Sequence, residues 1–126
     1  MSSIYIFSAS SAIVDKAAFK RGVKRLESLG HNVELDSNVL TRNTRFAGTD
    51  AQRIEAITRA AKSGADFAMV SRGGYGLTRL LPDLPYDLIA KAASKGTKFI
   101  GFSDFTAFQA AVYAQTKAVT WHGPSV

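Results

Sequence analysis

The chain contains no cysteine and no long apolar run, and these two absences exclude several classes of protein. Without cysteine there is neither a disulfide framework nor a thiolate metal site. No segment approaches the roughly 20 consecutive apolar residues of a membrane-spanning helix. The first residues also lack the basic stretch and the apolar run of a signal peptide. These observations favour a cytoplasmic protein without a membrane partner, and the 126 residues fit one domain.

Runs of basic residues are also missing, although the formal net charge is +6. The 16 lysines and arginines are scattered along the chain. Proteins that bind nucleic acid usually concentrate such charge in a patch or a stripe. We therefore expect no nucleic-acid partner, and a surface that attracts small anionic substrates explains the charge equally well.

Apolar runs alternate with amphipathic segments throughout the chain. Strands are predicted at residues 4–8, 31–35, 67–70, 98–101 and 118–121, and helices from about Asp15, from Thr49 or Asp50, at 85–94 and at 106–117. This alternation predicts an α/β fold with helices on both faces of a doubly wound, flavodoxin-like, mostly parallel five-stranded sheet. Right-handed crossovers favour the strand order 2-1-3-4-5.

A serine follows the fourth predicted strand at the edge of the sheet where ligands bind in such folds. On a tight turn between a strand and a helix, Ser103 would expose its hydroxyl, and the N–H of Asp104 could stabilise an oxyanion. The backbone of Ser103 is then expected to be strained, at a positive φ or in another sparsely populated region. The segment departs from the pattern G-x-S-x-G because Phe105 replaces the last glycine. The alternative is that Ser103 or Asp104 simply caps the next helix.

A glycine-rich loop follows the third predicted strand. Three glycines within Arg72-Gly-Gly-Tyr-Gly76 allow the backbone to approach a ligand closely. Its N–H groups could bind an anion or supply a second oxyanion donor. The loop is neither a P-loop nor a clean G-x-G-x-x-G motif. The alternative is a flexible turn without a ligand.

Taken together, these motifs resemble those of the LD-carboxypeptidases. The matching pieces keep the order and spacing of the family and are Phe46-Ala-Gly-Thr-Asp50 with Arg53, Arg72-Gly-Gly-Tyr-Gly76 with Arg79-Leu-Leu81, Lys98-Phe-Ile-Gly-Phe-Ser-Asp-Phe-Thr106, and His122-Gly-Pro124. The resemblance implies a cytoplasmic serine peptidase of peptidoglycan recycling that removes the terminal D-alanine from an L,D-linked murein tetrapeptide. It implies no metal and no organic cofactor.

The same resemblance assigns roles to individual residues. It makes Ser103 the nucleophile of a Ser-Glu-His triad and assigns the oxyanion donors to the N–H groups of Gly74 and Asp104. The family carries the glutamate and the histidine in a C-terminal domain. Residues 1–126 would therefore be the N-terminal nucleophile domain alone, with the C-terminal domain as its missing partner, and would be inactive in isolation.

Only two histidines are present, and a serine nucleophile needs an adjacent base. His31 begins the second predicted strand and is interpreted as a surface residue. His122 ends the fifth strand near the Ser103 edge, where we expect it to line the substrate pocket or to hydrogen-bond within the sheet edge rather than to act as the base.

Further residues of the motifs have two interpretations each. Arg72 could hold a substrate carboxylate or be an ordinary solvated arginine. Gly73 and Tyr75 are expected to line the substrate pocket, although Tyr75 could instead cover the glycine loop. Asp50 and Arg53 are interpreted as a helix cap and an exposed charge. Trp121 and the phenylalanines are expected in the core.

Two other functions remain open from the sequence. A stand-alone module could bind anionic peptides or phosphates through residues 72–76, and a purely structural or oligomerisation domain is the second alternative. We also expect a homodimer, because an uncovered carboxyl edge of the sheet would expose apolar surface.

Overall fold

The computed structural model describes all residues, 1–126, and contains one parallel sheet. Its strands are β1 (Ser3–Phe7), β2 (Asn32–Leu35), β3 (Phe67–Val70), β4 (Lys98–Gly101) and β5 (Trp121–His122). They lie in the order β2-β1-β3-β4-β5, and every neighbouring pair is parallel. The predicted fold class and strand order are therefore confirmed.

Four α-helices and one 3₁₀ helix connect the strands. The α-helices are α1 (Lys16–Ser28), α2 (Asp50–Lys62), α3 (Tyr86–Ser94) and α4 (Phe105–Thr116), and the 3₁₀ helix spans Leu77–Asp83. None of the helices has both the length and the apolar character needed to cross a bilayer. Each α-helix links two strands of the sheet, as the crossovers of a parallel sheet require.

The core has two parts because side chains alternate along each strand. Along β1, Tyr5 and Phe7 pack into the larger cluster with α2, α3 and α4. Ile4 and Ile6 face the opposite side, where Phe19 of α1 covers them. Helices therefore cover both faces, and the loops at the two ends of the strands are left for other roles.

Local signals in the sequence explain where the helices begin. The carboxylate of Asp15 accepts the N–H of Ala18 at 2.8 Å and caps α1. Thr49, and not Asp50, is the N-cap of α2, where its hydroxyl accepts the N–H of Gln52 and the Gln52 side chain accepts the N–H of Thr49. This reciprocal pair is a capping box and fixes the first turn of α2.

The end of the chain differs from the prediction. The fifth strand consists of Trp121–His122 rather than residues 118–121, because Lys117 ends α4 in the left-handed region at φ 62°. The N–H of Ala118 then donates to the Thr116 hydroxyl and cannot join the ladder. Trp121 and Phe102 were expected in the core, but both are exposed, Trp121 on the two-residue edge strand and Phe102 in the turn after β4.

Candidate active site

Three loops meet at the carboxyl edge of the sheet because β1, β3 and β4 are neighbours. They are the segments 8–12 after β1, 71–76 after β3 and 102–104 after β4. In an open α/β sheet this edge is where ligands bind. The predicted glycine loop and the predicted serine turn are therefore brought together.

Ser103 occupies the turn between β4 and α4 in a backbone conformation that non-glycine residues rarely adopt. Its φ is 63°, its side chain is exposed, and its carbonyl accepts the N–H of Thr106 at 3.0 Å. The expected positive φ is confirmed. No side chain caps α4, so neither Ser103 nor Asp104 has the alternative role of a side-chain cap. Backbone strain held in place by the surrounding structure is a feature of functional turns.

The glycine loop packs directly against this serine. A Cβ on Gly73 would lie 3.0 Å from the Cβ and 3.3 Å from the Oγ of Ser103. Gly74 has φ 108°, and a Cβ there would collide with the side chain of Ser11. A side chain at position 73 would therefore crowd Ser103, whereas position 74 requires glycine for both its space and its conformation.

Several backbone N–H groups near Ser103 have no acceptor within the chain. They include those of Gly74 in the glycine loop and of Asp104 immediately after the serine. The Asp104 N–H also lies at the amino end of α4, where the helix dipole favours negative charge. Free N–H groups on two neighbouring loops can together stabilise an anion.

The predicted substrate-binding residues surround these loops. Arg72 is half-buried and donates to the carbonyl of Ala12 at 3.2 Å, without a carboxylate partner. The Tyr75 ring is 70% exposed and lies 5.8 Å from the guanidinium of Arg45. His122 pairs with Gly101 in the ladder, and its ring meets that of Phe102 edge-on at 6.4 Å. All three lie on loops or strand ends at the carboxyl edge, and their contact with substrate stays a prediction.

No base contacts the serine within these residues. The Oγ of Ser103 takes part in no hydrogen bond, and the His122 ring has no carboxylate partner. His31 precedes β2 at the opposite edge of the sheet, where its Nδ1 accepts the N–H of Ser2 at 3.3 Å. The site therefore provides an exposed hydroxyl and two donors without the group that would remove the serine proton.

The sequence analysis missed two serines on the loop after β1. The Ser10 hydroxyl donates to Oδ1 of Asp104 at 3.0 Å, and the Ser11 hydroxyl accepts the N–H of Tyr75 at 3.0 Å. Both serines are buried. The signal available in the sequence was the small polar run Ser8-Ala-Ser-Ser11 directly after a buried strand that the predicted order places beside β3.

Arg53 was interpreted as an exposed charge, and this interpretation is wrong. The residue is 0% exposed, and its guanidinium donates to the carbonyls of Ala9 and Gly76 at 3.1 and 3.0 Å. It also binds Asp50 at 2.7 Å and stacks on the Phe46 ring at 4.8 Å. An amphipathic pattern cannot distinguish an arginine on the solvent face from one that extends beneath a loop.

Asp50 lies between two guanidinium groups. Desolvation raises its pKa, but the hydrogen bonds from Arg53 and Arg79 outweigh that effect and hold the pKa below its ordinary value. The carboxylate is therefore ionised at neutral pH, and its negative charge balances the buried arginine. The Asp50–Arg53 ion pair therefore contacts the glycine loop through the hydrogen bond from Arg53 to the carbonyl of Gly76.

Comparisons with known proteins agree with this architecture. A family model described as the LD-carboxypeptidase N-terminal domain matches residues 4–123. A putative carboxypeptidase of Streptomyces coelicolor is 32% identical over 120 residues, which are 92% of this chain and 38% of the relative. The microcin C7 self-immunity protein of Escherichia coli is 34% identical over 94% of this chain and 34% of its own length.

A solved structure gives the same result in three dimensions. The crystal structure of muramoyltetrapeptide carboxypeptidase from Oxalobacter formigenes superposes with a TM-score of 0.84 at 34% identity, and covers 98% of this chain and 40% of that protein. The chain thus spans between about a third and two fifths of the length of the proteins it matches.

Proposed function

The chain belongs to the LD-carboxypeptidase N-terminal domain family, and on that premise we propose that it is the nucleophile-bearing domain of a serine carboxypeptidase. The proposed substrate is an L,D-linked murein tetrapeptide from which the terminal D-alanine is removed. A cytoplasmic location and a role in peptidoglycan recycling are part of the same proposal. The relative from Oxalobacter formigenes, a muramoyltetrapeptide carboxypeptidase, supports this choice of substrate.

One observation carries the proposal, namely the conformation of Ser103 beside two free N–H groups. Ser103 is exposed on the turn at a φ of 63°. The N–H groups of Gly74 and Asp104 are unused by the chain, as donors to a developing oxyanion need to be. A serine that served only as a side-chain cap would accept an N–H of α4 through its hydroxyl, and Ser103 contacts α4 only through its carbonyl, which accepts the N–H of Thr106.

The proposed reaction follows from these groups. The Oγ of Ser103 attacks the carbonyl carbon of the L,D-peptide bond and loses its proton to a base, while the carbonyl oxygen becomes an oxyanion held by the two N–H groups. The C–N bond then breaks, D-alanine leaves with the proton, and water hydrolyses the serine ester. We propose that the glutamate and histidine of the base lie in a C-terminal domain, because Ser103 has no base among the residues described.

The first experiment tests the nucleophile in the complete gene product. Ser103→Ala should lower kcat for D-alanine release by about 10⁴-fold or more while KM changes little, because the hydroxyl takes part in covalent chemistry and affinity comes from the pocket. Ser28→Ala is the matched control, since Ser28 is an exposed serine that only bonds the carbonyl of Arg25. Undiminished release by Ser103→Ala would remove this serine from the mechanism.

The isolated chain supplies the second arm of the experiment. Residues 1–126 should release no D-alanine and form no acyl-enzyme, because no group in contact with Ser103 can accept its proton. Substantial release by the chain alone would show that His122 acts as the base and that the triad is not divided between domains.

A binding module for anionic peptides or phosphates is the second candidate. The free N–H of Gly74 and the Arg72 guanidinium, which has no carboxylate partner, favour it because both attract anions without any covalent step. Anion binding by a complete gene product that shows no turnover with L,D-peptides would favour this candidate over the peptidase.

A further inference from the structure

The loop after β1 contacts the segment that carries one of the proposed oxyanion donors. Ser11 is 7% exposed and makes two hydrogen bonds to the glycine loop. Its N–H donates to the carbonyl of Gly73 at 3.3 Å, and its hydroxyl accepts the N–H of Tyr75 at 3.0 Å. A single buried side chain and its own backbone thus hold both neighbours of Gly74.

The geometry of the peptide bond explains what these contacts achieve. The peptide unit that joins Gly73 to Gly74 is planar and trans, so its C=O and its N–H point in opposite directions. Because the carbonyl is directed at Ser11, the N–H of Gly74 points away from Ser11 and remains free. The next peptide unit is fixed by the bond from Tyr75 to the Ser11 hydroxyl.

Without these contacts the loop would have other conformations available. Glycine at positions 73 and 74 places little steric restriction on φ and ψ, so the peptide unit between them could rotate. Rotation by half a turn would direct the carbonyl of Gly73, instead of the N–H of Gly74, to the free side. A carbonyl oxygen there would repel the oxyanion that the N–H is proposed to stabilise.

We propose that Ser11 is a positioning residue that fixes the Gly73–Gly74 peptide with its N–H directed away from the β1 loop, in the orientation an oxyanion donor needs. This inference rests on the proposed function, since it concerns the donor of that same site. Ser11 touches neither the substrate nor the reacting atoms and acts through Gly74.

The first test uses the 126-residue chain and requires no activity. Ser11→Ala removes the acceptor of the Tyr75 N–H but keeps the backbone N–H that binds Gly73. NMR should show amide hydrogen exchange at Tyr75 faster by about tenfold or more, with exchange broadening at Gly74, because the loop opens locally. Thr97→Ala, which removes an equally buried hydroxyl bonded to the Ala65 carbonyl at the opposite end of the strands, should leave both amides unchanged.

The second test separates positioning from general stability. In the complete gene product, Ser11→Ala should lower kcat about 10- to 100-fold with KM nearly constant, since losing a whole oxyanion donor costs about 10²- to 10³-fold. Ser11→Thr keeps the acceptor oxygen and should restore much of kcat. If Ser11→Ala does not fold, Ser11→Cys takes its place, because it keeps the side-chain volume but is a weak acceptor.

The outcomes distinguish this inference from the proposed function. Loss of activity in Ser103→Ala together with an unchanged kcat in Ser11→Ala would overturn the positioning role while the peptidase proposal survives. Unchanged Gly74 and Tyr75 amides in the Ser11→Ala chain would overturn it as well. Altered amides together with a lowered kcat, and recovery in Ser11→Thr, would support it.

Discussion

Two arginines bind the same carboxylate and differ in burial. Arg53 and Arg79 both donate to Asp50, at 2.7 and 3.0 Å. The Arg53 side chain is fully buried and also serves the carbonyls of Ala9 and Gly76, whereas the Arg79 side chain is 62% exposed. Water replaces a lost exposed partner but does not reach the buried carbonyl of Ala9, so the two residues should contribute very differently to stability.

Truncating these two arginines tests that difference. Arg53→Ala should lower the free energy of unfolding by about 3–5 kcal/mol, because it opens a cavity and removes the donors of two carbonyls. Arg53→Met keeps much of the volume and should still lose about 2 kcal/mol through those carbonyls. Arg79→Ala should change stability little. Urea unfolding of the three variants measures this, and equal losses for Arg53→Ala and Arg79→Ala would contradict the structural role of Arg53.

At the scale of an element, two glycines have nearly the same conformation in different surroundings. Gly74 in the loop after β3 has φ 108°, and Gly96 in the turn before β4 has φ 105°. A Cβ on Gly74 would collide with Ser11, whereas a Cβ on Gly96 would meet nothing within 4 Å. An L side chain would therefore strain the backbone at both positions, but it would meet a steric conflict only at Gly74.

Alanine at each position separates strain from collision. Gly96→Ala should lower the free energy of unfolding by about 1–3 kcal/mol through backbone strain alone. Gly74→Ala should lose about 1–3 kcal/mol more, because Ser11 or the loop must move to make room. Thermal and urea unfolding compare the two variants directly. Similar losses of unfolding free energy at both positions would show that the glycine loop accommodates the added Cβ without a steric conflict with Ser11.

At the scale of the whole molecule, one buried carboxylate joins three elements. Asp36 follows β2, accepts the Tyr5 hydroxyl of β1 at 2.6 Å, and binds Arg59 of α2 through both oxygens at 2.7 and 3.0 Å. Burial raises its pKa, but the hydrogen bonds from Arg59, Tyr5 and the Asn38 N–H outweigh it and lower the pKa below its ordinary value. Burial and the neighbouring Asp36 carboxylate raise the pKa of Tyr5, which stays a neutral donor.

The lowered pKa predicts a loss of stability in acid. The folded state binds the proton of Asp36 more weakly than the unfolded state does, so the stabilisation is complete above the unfolded pKa of about 4. It disappears as the pH falls through the lower, folded pKa. The free energy of unfolding should therefore decrease from about pH 5 downward, and Asp36→Asn should flatten that decrease.

A second carboxylate on the same arginine provides the control. Glu55 lies 3.9 Å from Arg59 but is 65% exposed, so Glu55→Gln should keep most of the acid dependence of the natural chain. Hydrogen bonds from Ser3 also lower the pKa of Asp66. In the Asp36→Asn variant, the free energy of unfolding should therefore still decrease somewhat as the pH falls. Parallel curves for Asp36→Asn and the natural chain would contradict the assignment.

The expected homodimer stays a prediction, which analytical ultracentrifugation of the chain would test.

The sequence by itself determined the fold class, the strand order and the position of the serine turn. The fold class and the serine turn depend on signals within a few neighbouring residues, such as the apolar run 67–70 and the turn at Ser103, and the strand order follows from the right-handed crossovers between such elements. These signals act through local sterics and the period of burial, which can be read from adjacent residues. The weakest local signal, the two-residue edge strand at Trp121, was correspondingly misplaced.

Only the tertiary structure decided which residues support the site. Ser11 lies 62 residues before Gly73, and Arg53 lies 23 residues before Gly76, yet both bind the glycine loop. An arginine in an amphipathic helix looks the same in sequence whether it faces water or extends under a loop, and the same holds for a serine after a strand. Such roles arise when the sheet closes and brings the ends of β1 and β3 together, because only then do buried donors and acceptors find their partners.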